Sequence, residues 1–199
     1  MSETPSKRVA QGQATRERLI EVATGLFAER GYEDTSIEDV LTEAGVSRGA
    51  LYHHFHGKDA LFEAVVESIE EGILGGLREV LTDVPDAVTA LRVASLGWID
   101  LAANPVIQRI VLIDAPSVLG WQRMREINER YGLGATRMVL NEIAEEGYVP
   151  RAMADQFAHM ILAALDEIAL VIAQSDDPEA AMSDGRAAVE ELLRRLLTQ

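Results

Sequence analysis

Apolar residues recur at helical spacing along almost the whole chain. Leu19, Ile20, Ala23, Leu26 and Phe27 fall at i, i+1, i+4, i+7 and i+8, one stripe of a 3.6-residue period. Gly31 follows Arg30 and reads as the stop of that helix. Thr35-Ser36-Ile37-Glu38 then matches a capping box, in which the Thr35 hydroxyl accepts from a free backbone N–H and Glu38 reaches back to the cap. Ile37, Val40, Leu41 and Ala44 form the next stripe, barely two turns long, and Gly45 ends it. Ser47 is placed to cap a third short helix with Ala50, Leu51 and Phe55 inward.

From Lys58 the pattern predicts a long helix towards Leu81, with Leu61, Phe62, Val65, Ile69, Ile73 and Leu77 inward. Gly72, Gly75 and Gly76 weaken its second half. Asp83-Val84-Pro85 ends it. The next helix carries Val88, Leu91, Ser95 and Trp98 on one face until Asn104-Pro105 breaks it. A short apolar segment, Val106 to Ile113, leads to an expected loop from Ile113 to Trp121. A helix follows from about Trp121 to Glu146, with Gly132 and Gly134 as kink positions. Gly147-Tyr148-Val149-Pro150 is a stop and restart, and residues 151–174 are helical and apolar on almost every side. Ser175-Asp176-Asp177-Pro178 is a boundary. The last helix ends with Val189, Leu192, Leu193, Leu196 and Leu197. No alternating β pattern and no internal repeat interrupts this. The expectation is an all-α chain of roughly nine helices, divided into an N-terminal unit, 1–60, of three helices and a second unit, 61–199, of six.

The 199 residues are 48% apolar, enough to build a real core in one or two small domains. The chain has no cysteine, which excludes disulfides, thiol nucleophiles, Fe–S clusters and Cys-ligated zinc together. That fits a cytoplasmic protein. The N-terminal stretch MSETPSKRVAQGQATRER has no apolar run that would read as a signal peptide. The richest apolar run, Phe157 to Ala173, is broken by His159, Asp166 and Glu167 and reads as too short and too charged to span a bilayer. The net charge is −15. Residues 1–60 hold 7 basic and 10 acidic side chains, and residues 61–199 hold 11 and 23. Such a chain repels polyanions at long range, so nucleic-acid binding needs a small local basic face. Lys7, Arg8, Arg16, Arg18, Arg48 and Lys58 could supply one.

The most specific local feature is the pair of short helices joined by Ala44-Gly45-Val46-Ser47. A helix-turn-helix needs two helices at a steep angle and a tight turn. Gly45 tolerates φ > 0, and Val46 can plug the angle between the helices. The second helix, Arg48 to about His54, would be held by Leu51 and would present Arg48, Gly49, Tyr52 and His53 outward. Arg48 is able to make a bidentate bond to guanine, Gly49 and Ala50 permit close approach, and Tyr52 can donate to a phosphate. The pattern equally suits a helical hairpin with no DNA role.

The stretch Gly31-Tyr32, Thr35-Ser36-Ile37, Val40, Ala44 to Phe55, Lys58 and Leu61-Phe62 resembles the DNA-binding domain of the tetracycline-repressor family. The resemblance covers about residues 15–62. It implies a three-helix DNA-binding domain before about six regulatory helices, in a homodimer that represses from a palindromic operator until a small ligand releases it. Carried over by position, Thr35, Tyr52 and Lys58 would contact phosphate. Arg48, Gly49 and His53 would face bases, Ala50 would allow close approach, and Ser47 would cap the recognition helix. Lys7, Arg8 and Arg16 match the basic arm that the family often has. Gly57 stands where the family often has a hydroxyl, which leaves the cap before Lys58 weaker.

His53, His54 and His56 cluster, and imidazole is a common metal ligand. No carboxylate at helical ligand spacing completes such a site, so DNA-facing or packed roles fit better. Asp155, His159 and Asp166 share a helical face and could converge. G-x-S-x-G, Walker A, H-E-x-x-H and G-x-G-x-x-G motifs are missing, so nothing argues for an enzyme or a cofactor. The pairs Glu70-Glu71, Glu145-Glu146 and Glu190-Glu191 read as solvated charge.

The middle of the chain has the composition of a small-molecule pocket: Trp98, Arg109, Asp114, Trp121, Met124, Tyr131, Met138 and His159. It suits an apolar or aromatic ligand of modest size. The apolar stretch from Met160 to Ala173 and the last helix offer two faces for a four-helix bundle between two copies. The leading expectation is a dimeric, ligand-responsive transcriptional regulator. The alternative is a helical small-molecule binding protein without a DNA-reading role.

Overall fold

The computed structural model describes residues 7–197, with side chains from Val9 onward. The chain runs through α1 (Lys7–Arg30), α2 (Ile37–Ala44), α3 (Arg48–His54), α4 (Lys58–Leu81) and α5 (Ala87–Leu101). A π-helical segment, Ile107–Asp114, leads into α6 (Ala115–Arg130) and α7 (Gly132–Glu145). A 3-10 turn, Arg151–Met153, precedes α8 (Ala154–Ala173), and α9 (Pro178–Leu196) closes the chain. No strand occurs among the described residues. The all-α expectation holds.

The short helices begin where hydroxyl and carboxylate caps stand. Ser36, not Thr35, caps α2: its Oγ accepts from the Asp39 N–H, and Asp39 accepts in return from the Ser36 N–H at 2.9 Å. The capping box is therefore one residue later than the sequence suggests. Thr35 is 1% exposed and its hydroxyl donates to the Gly31 carbonyl at 2.8 Å, with the Leu26 carbonyl at 3.2 Å. Gly45 ends α2 at φ 66°, ψ 32°, donating its N–H to Leu41, a left-handed closure that favours glycine. Ser47 caps α3 by accepting from the Ala50 N–H. Gly57 gives α4 no side-chain cap, as its lack of a hydroxyl requires.

The middle of the chain departs from the expected loop. Residues 113–121 are helical, because Pro116 fits the first turn of α6 and the π-helical turns feed it without a gap. The irregularity is confined to Gly120 (φ 74°, ψ 167°) and to Tyr131 (φ −113°, ψ −94°), which separates α6 from α7. Preceded by the turn at Arg151–Met153, α8 belongs to a segment of 23 residues that is long and apolar enough, by length and composition, to cross a membrane. Ala158, Ile161, Leu165 and Ile172 of α8 are nevertheless buried in the protein's own core.

Two apolar clusters hold the fold. The first joins α1–α4 through Leu19, Phe27, Val40, Leu51, Phe55 and Phe62, with Phe27, Tyr32 and Phe62 in mutual ring contact. It also takes in Ile110, Ala115 and Ile127 from the π-helical segment and α6, so the N-terminal helices share a core with the body. The second packs α5, α7, α8 and α9 around Ile99, Leu140, Ile143, Ile161 and Val189.

Candidate nucleic-acid face and ligand cavity

The turn at Gly45 and Val46 sets α3 against α1 and α2, with Leu51 and Phe55 buried and Ser47, Arg48, Gly49, Tyr52 and His53 exposed. Ala50 is half-buried. These residues form one continuous outward surface, as the spacing of α3 predicts. Two of the cations near it are already engaged. Arg48 pairs with Glu38 of α2. Lys58 lies over the Tyr32 ring, 4.0 Å from its centroid, and donates to the Glu33 carbonyl at 3.3 Å. Tyr32 in turn donates its hydroxyl to Asp59, and its pKa is raised by burial and then by that carboxylate. Thr35 does not belong to this surface, because its hydroxyl is consumed inside; Ser36 is the exposed hydroxyl beside it. Arg16 stacks over Phe55, 5.5 Å from the ring centroid, while the Lys7 and Arg8 side chains lie outside the described residues. His54 packs against His53 and Phe55, and burial followed by His53 and Arg16 lowers its pKa. Among the described residues, no group of three metal-ligating side chains gathers.

The body holds a cavity of about 1020 Å³ between α4, α5, the π-helical segment, α6, α7 and α8. Ile73, Leu74, Leu77, Leu91, Val139 and Leu162 make its walls predominantly apolar. Trp98, Trp121, Met124, Tyr131 and Met138 line it; Trp121, 75% exposed, stands at the rim with Arg125 over its ring. Arg109, Asp114 and His159 do not line it, contrary to the expectation from sequence. His159 lies 4.0 Å from Asp155, whose carboxylate is held by Arg137 at 2.6 Å. Asp166, on the same helix, faces the cavity instead, so the three do not converge.

Arg109 and Asp114 have a different task. The buried Asp114 carboxylate accepts from the Tyr32 backbone N–H at 2.8 Å and from Arg109 Nε at 3.2 Å. Tyr32 opens the turn between α1 and α2, whereas Val111 and Leu112, just before Asp114, line the cavity. One short segment thus touches both the cavity and the N-terminal helices. The approach is close: a Cβ on Gly31, which sits at φ 83°, would fall 1.8 Å from the Arg109 guanidinium.

The sequence reading missed the cavity's polar end. Glu70 is buried, not solvated, and its pKa is pushed up to about 7 by burial and then by Asp166. Asp166 is raised to about 6 by burial, partly offset by the nearby Trp98 indole. The signal was available: Glu70, Ile73, Leu74 and Leu77 follow i, i+3, i+4, i+7, which puts Glu70 on the inward stripe.

A helix-turn-helix head sharing its core with an all-helical body that encloses a large apolar cavity defines a helix-turn-helix regulator type of fold. The family model of the tetR family of bacterial regulatory proteins matches residues 19–65, and that of the tetracyclin repressor-like C-terminal domain matches residues 88–196. The chain belongs to the tetracycline-repressor family. A TetR-family transcriptional regulator from Pectobacterium atrosepticum of solved structure is 34% identical, with 99% of each chain covered and a TM-score of 0.82. The transcriptional regulator FadR from Bacillus subtilis, solved in complex with stearoyl-CoA, has the same fold at 18% identity, with a TM-score of 0.73 over 92% of this chain and 97% of that one. The HTH-type transcriptional repressor KstR2 of Rhodococcus jostii is 30% identical over 109 residues, 53% of each chain. The matching stretches span about half the length of such curated relatives.

Proposed function

We infer that the protein is a dimeric, ligand-responsive DNA-binding repressor, with residues 1–60 reading the operator and residues 61–199 binding ligand and pairing the subunits. The observation that carries this reading is the Asp114 bridge, which ties the wall of a ligand-sized cavity to the turn that positions the DNA-reading helices. A ligand shifts such a system only by preferring one arrangement of the bridge and cavity wall over the other. Arg48, Gly49, Tyr52 and His53 are the base- and phosphate-facing candidates, with Lys58 and the N-terminal arm on the backbone. Ser47 and Ala50 set the helix and its close approach.

Selection on random duplex DNA at physiological salt should enrich a palindrome. On it, Arg48→Ala should weaken binding by about 1–3 kcal/mol. The wild-type protein first breaks the Arg48–Glu38 pair, but an exposed bridge is worth only about 0–1 kcal/mol, so a guanine contact outweighs it. Failure to enrich any sequence, with and without ligand, would return the chain to the class of small-molecule binding proteins.

The dimer is supported by α8 and α9. Met160, Val171 and Leu192 are exposed, and a groove between the two helices is lined by Ile161, Ala164, Ile168, Ala188 and Leu192. A second copy related by a two-fold axis would cover this face as a four-helix bundle and hold two recognition helices roughly 34–36 Å apart. Light scattering at low micromolar protein should give twice the 21.8 kDa chain mass; a monomer would refute the pairing.

A further inference from the structure

The cavity's apolar walls end in polar groups that the protein leaves without partners. Glu70 on α4 and Asp166 on α8 face one another's field across the cavity, and no hydrogen bond or ion pair to either is made by the described residues apart from the Trp98 approach. Ser95 on α5 is 2% exposed, lines the same space, and its hydroxyl has no partner. The Trp98 N–H is likewise unpaired. Buried polar groups are normally satisfied, and two neighbouring carboxylates are the costliest kind to leave bare. The cations nearby do not answer them. Arg78 and Arg130 line the cavity too, but Arg130 is committed to Glu67, and Arg78 is exposed, two turns along α4 from Glu70, with no ion pair to either carboxylate. Glu167, which also borders the cavity, adds negative charge.

We propose that the cavity is built for an amphipathic organic cation, whose apolar body lies among Ile73, Leu74, Leu77 and Leu91 and whose ammonium or amidinium group is taken by Glu70 and Asp166. The inference rests on the cavity being the ligand site. A cation supplies what both carboxylates lack, since charge-assisted hydrogen bonds in a low-dielectric site are the strong ones. It also lets Ser95 accept from an ammonium N–H. An acyl anion of the same length would be repelled by both carboxylates at the buried end and would have to turn its head towards Arg78 or Arg130 of the lining, so the acyl ligand printed for the Bacillus subtilis regulator is not the class inferred for this cavity.

The test is titration of the full-length protein at pH 8 with decylamine, decanol and decanoate, three probes of one chain length and three head charges. Trp98 and Trp121 line the cavity and report binding by fluorescence. Decylamine should bind at least tenfold more tightly than decanol, with decanoate weakest. In Glu70→Gln/Asp166→Asn the amine preference should vanish while decanol binding persists, which also shows that the variant is folded. Should the double variant not fold, the ranking of the three probes on the wild-type chain decides by itself. Decanol binding as well as decylamine, or decanoate binding best, would overturn the cationic class and leave the cavity as the ligand site. Binding of none of the three would remove both.

Discussion

Asp114→Ala should lower stability by about 2 kcal/mol and loosen the turn between α1 and α2, although no DNA-facing or cavity-lining residue is touched. The substitution strands the Tyr32 N–H, which now donates to Asp114 Oδ2 at 2.8 Å, and an unsatisfied buried donor costs about 1–3 kcal/mol. It also frees Arg109, whose partner is lost. For a chain of this size, each kcal/mol moves the melting temperature by about 2–4 °C, so a fall of about 4–8 °C is expected. Amide exchange should quicken at Tyr32 and Thr35 before it quickens in α8. Affinity for the selected palindrome should drop with it, because a head free to rock must be re-ordered on the duplex. Asp114→Asn keeps an oxygen for the Tyr32 N–H and should lose less than half as much. An unchanged melting temperature in Asp114→Ala would mean that the bridge does not hold the head to the body.

The second large effect concerns Glu70. Its folded pKa, about 7, lies above the ordinary 4.5, so between those values the native protein binds more protons than the unfolded chain. Stability contributed by this group is full below about pH 4.5, is lost as pH rises towards 7, and is flat above. The displacement corresponds to about 3 kcal/mol. Asp166, raised to about 6, adds a loss in the same direction over a lower window. Glu70→Gln should therefore stabilise the ligand-free protein at pH 8 by an amount approaching 3 kcal/mol and leave it nearly unchanged at pH 4. Equal melting shifts at both pH values would show that Glu70 is solvated after all. The stabilised variant should lose its preference for the amine probe, the usual exchange of stability against a binding site.

The parts of the fold written into short stretches of sequence were the ones that could be read there. The turn from Ala44 to Ser47 is local: a glycine at positive φ and a serine cap specify it within four residues. The helix from Lys58 to Leu81 is declared by its apolar period alone. Thr35 and Ser36 were confused because both carry hydroxyls, and what separates them is the packing of Thr35 beneath the end of α1, which no local pattern records. Bulk placed Trp98, Trp121, Met124 and Tyr131 among the cavity candidates, since large side chains of a helical body tend towards its interior. Polarity misplaced Arg109 and Asp114, because a polar group goes where its partner is, and the partner of Asp114 lies 82 residues away. Glu70 was overlooked because a glutamate beside a glutamate resembles surface charge unless its position on the apolar stripe is weighed above its type.

The holstered cations of the recognition surface have a consequence for how the protein would find its operator. Arg48 rests on Glu38 and Lys58 on Tyr32 and Glu33, within a chain whose net charge is −15. Generic phosphate attracts such a surface weakly, and most of a repressor's time on wrong sequences comes from that attraction. Drawing the side chains out costs little, about 0–1 kcal/mol for the exposed Arg48–Glu38 pair, so a matching groove repays it at once while scattered phosphates offer less in return. Loose attachment to unrelated sequences should accordingly be weak and respond little to added salt.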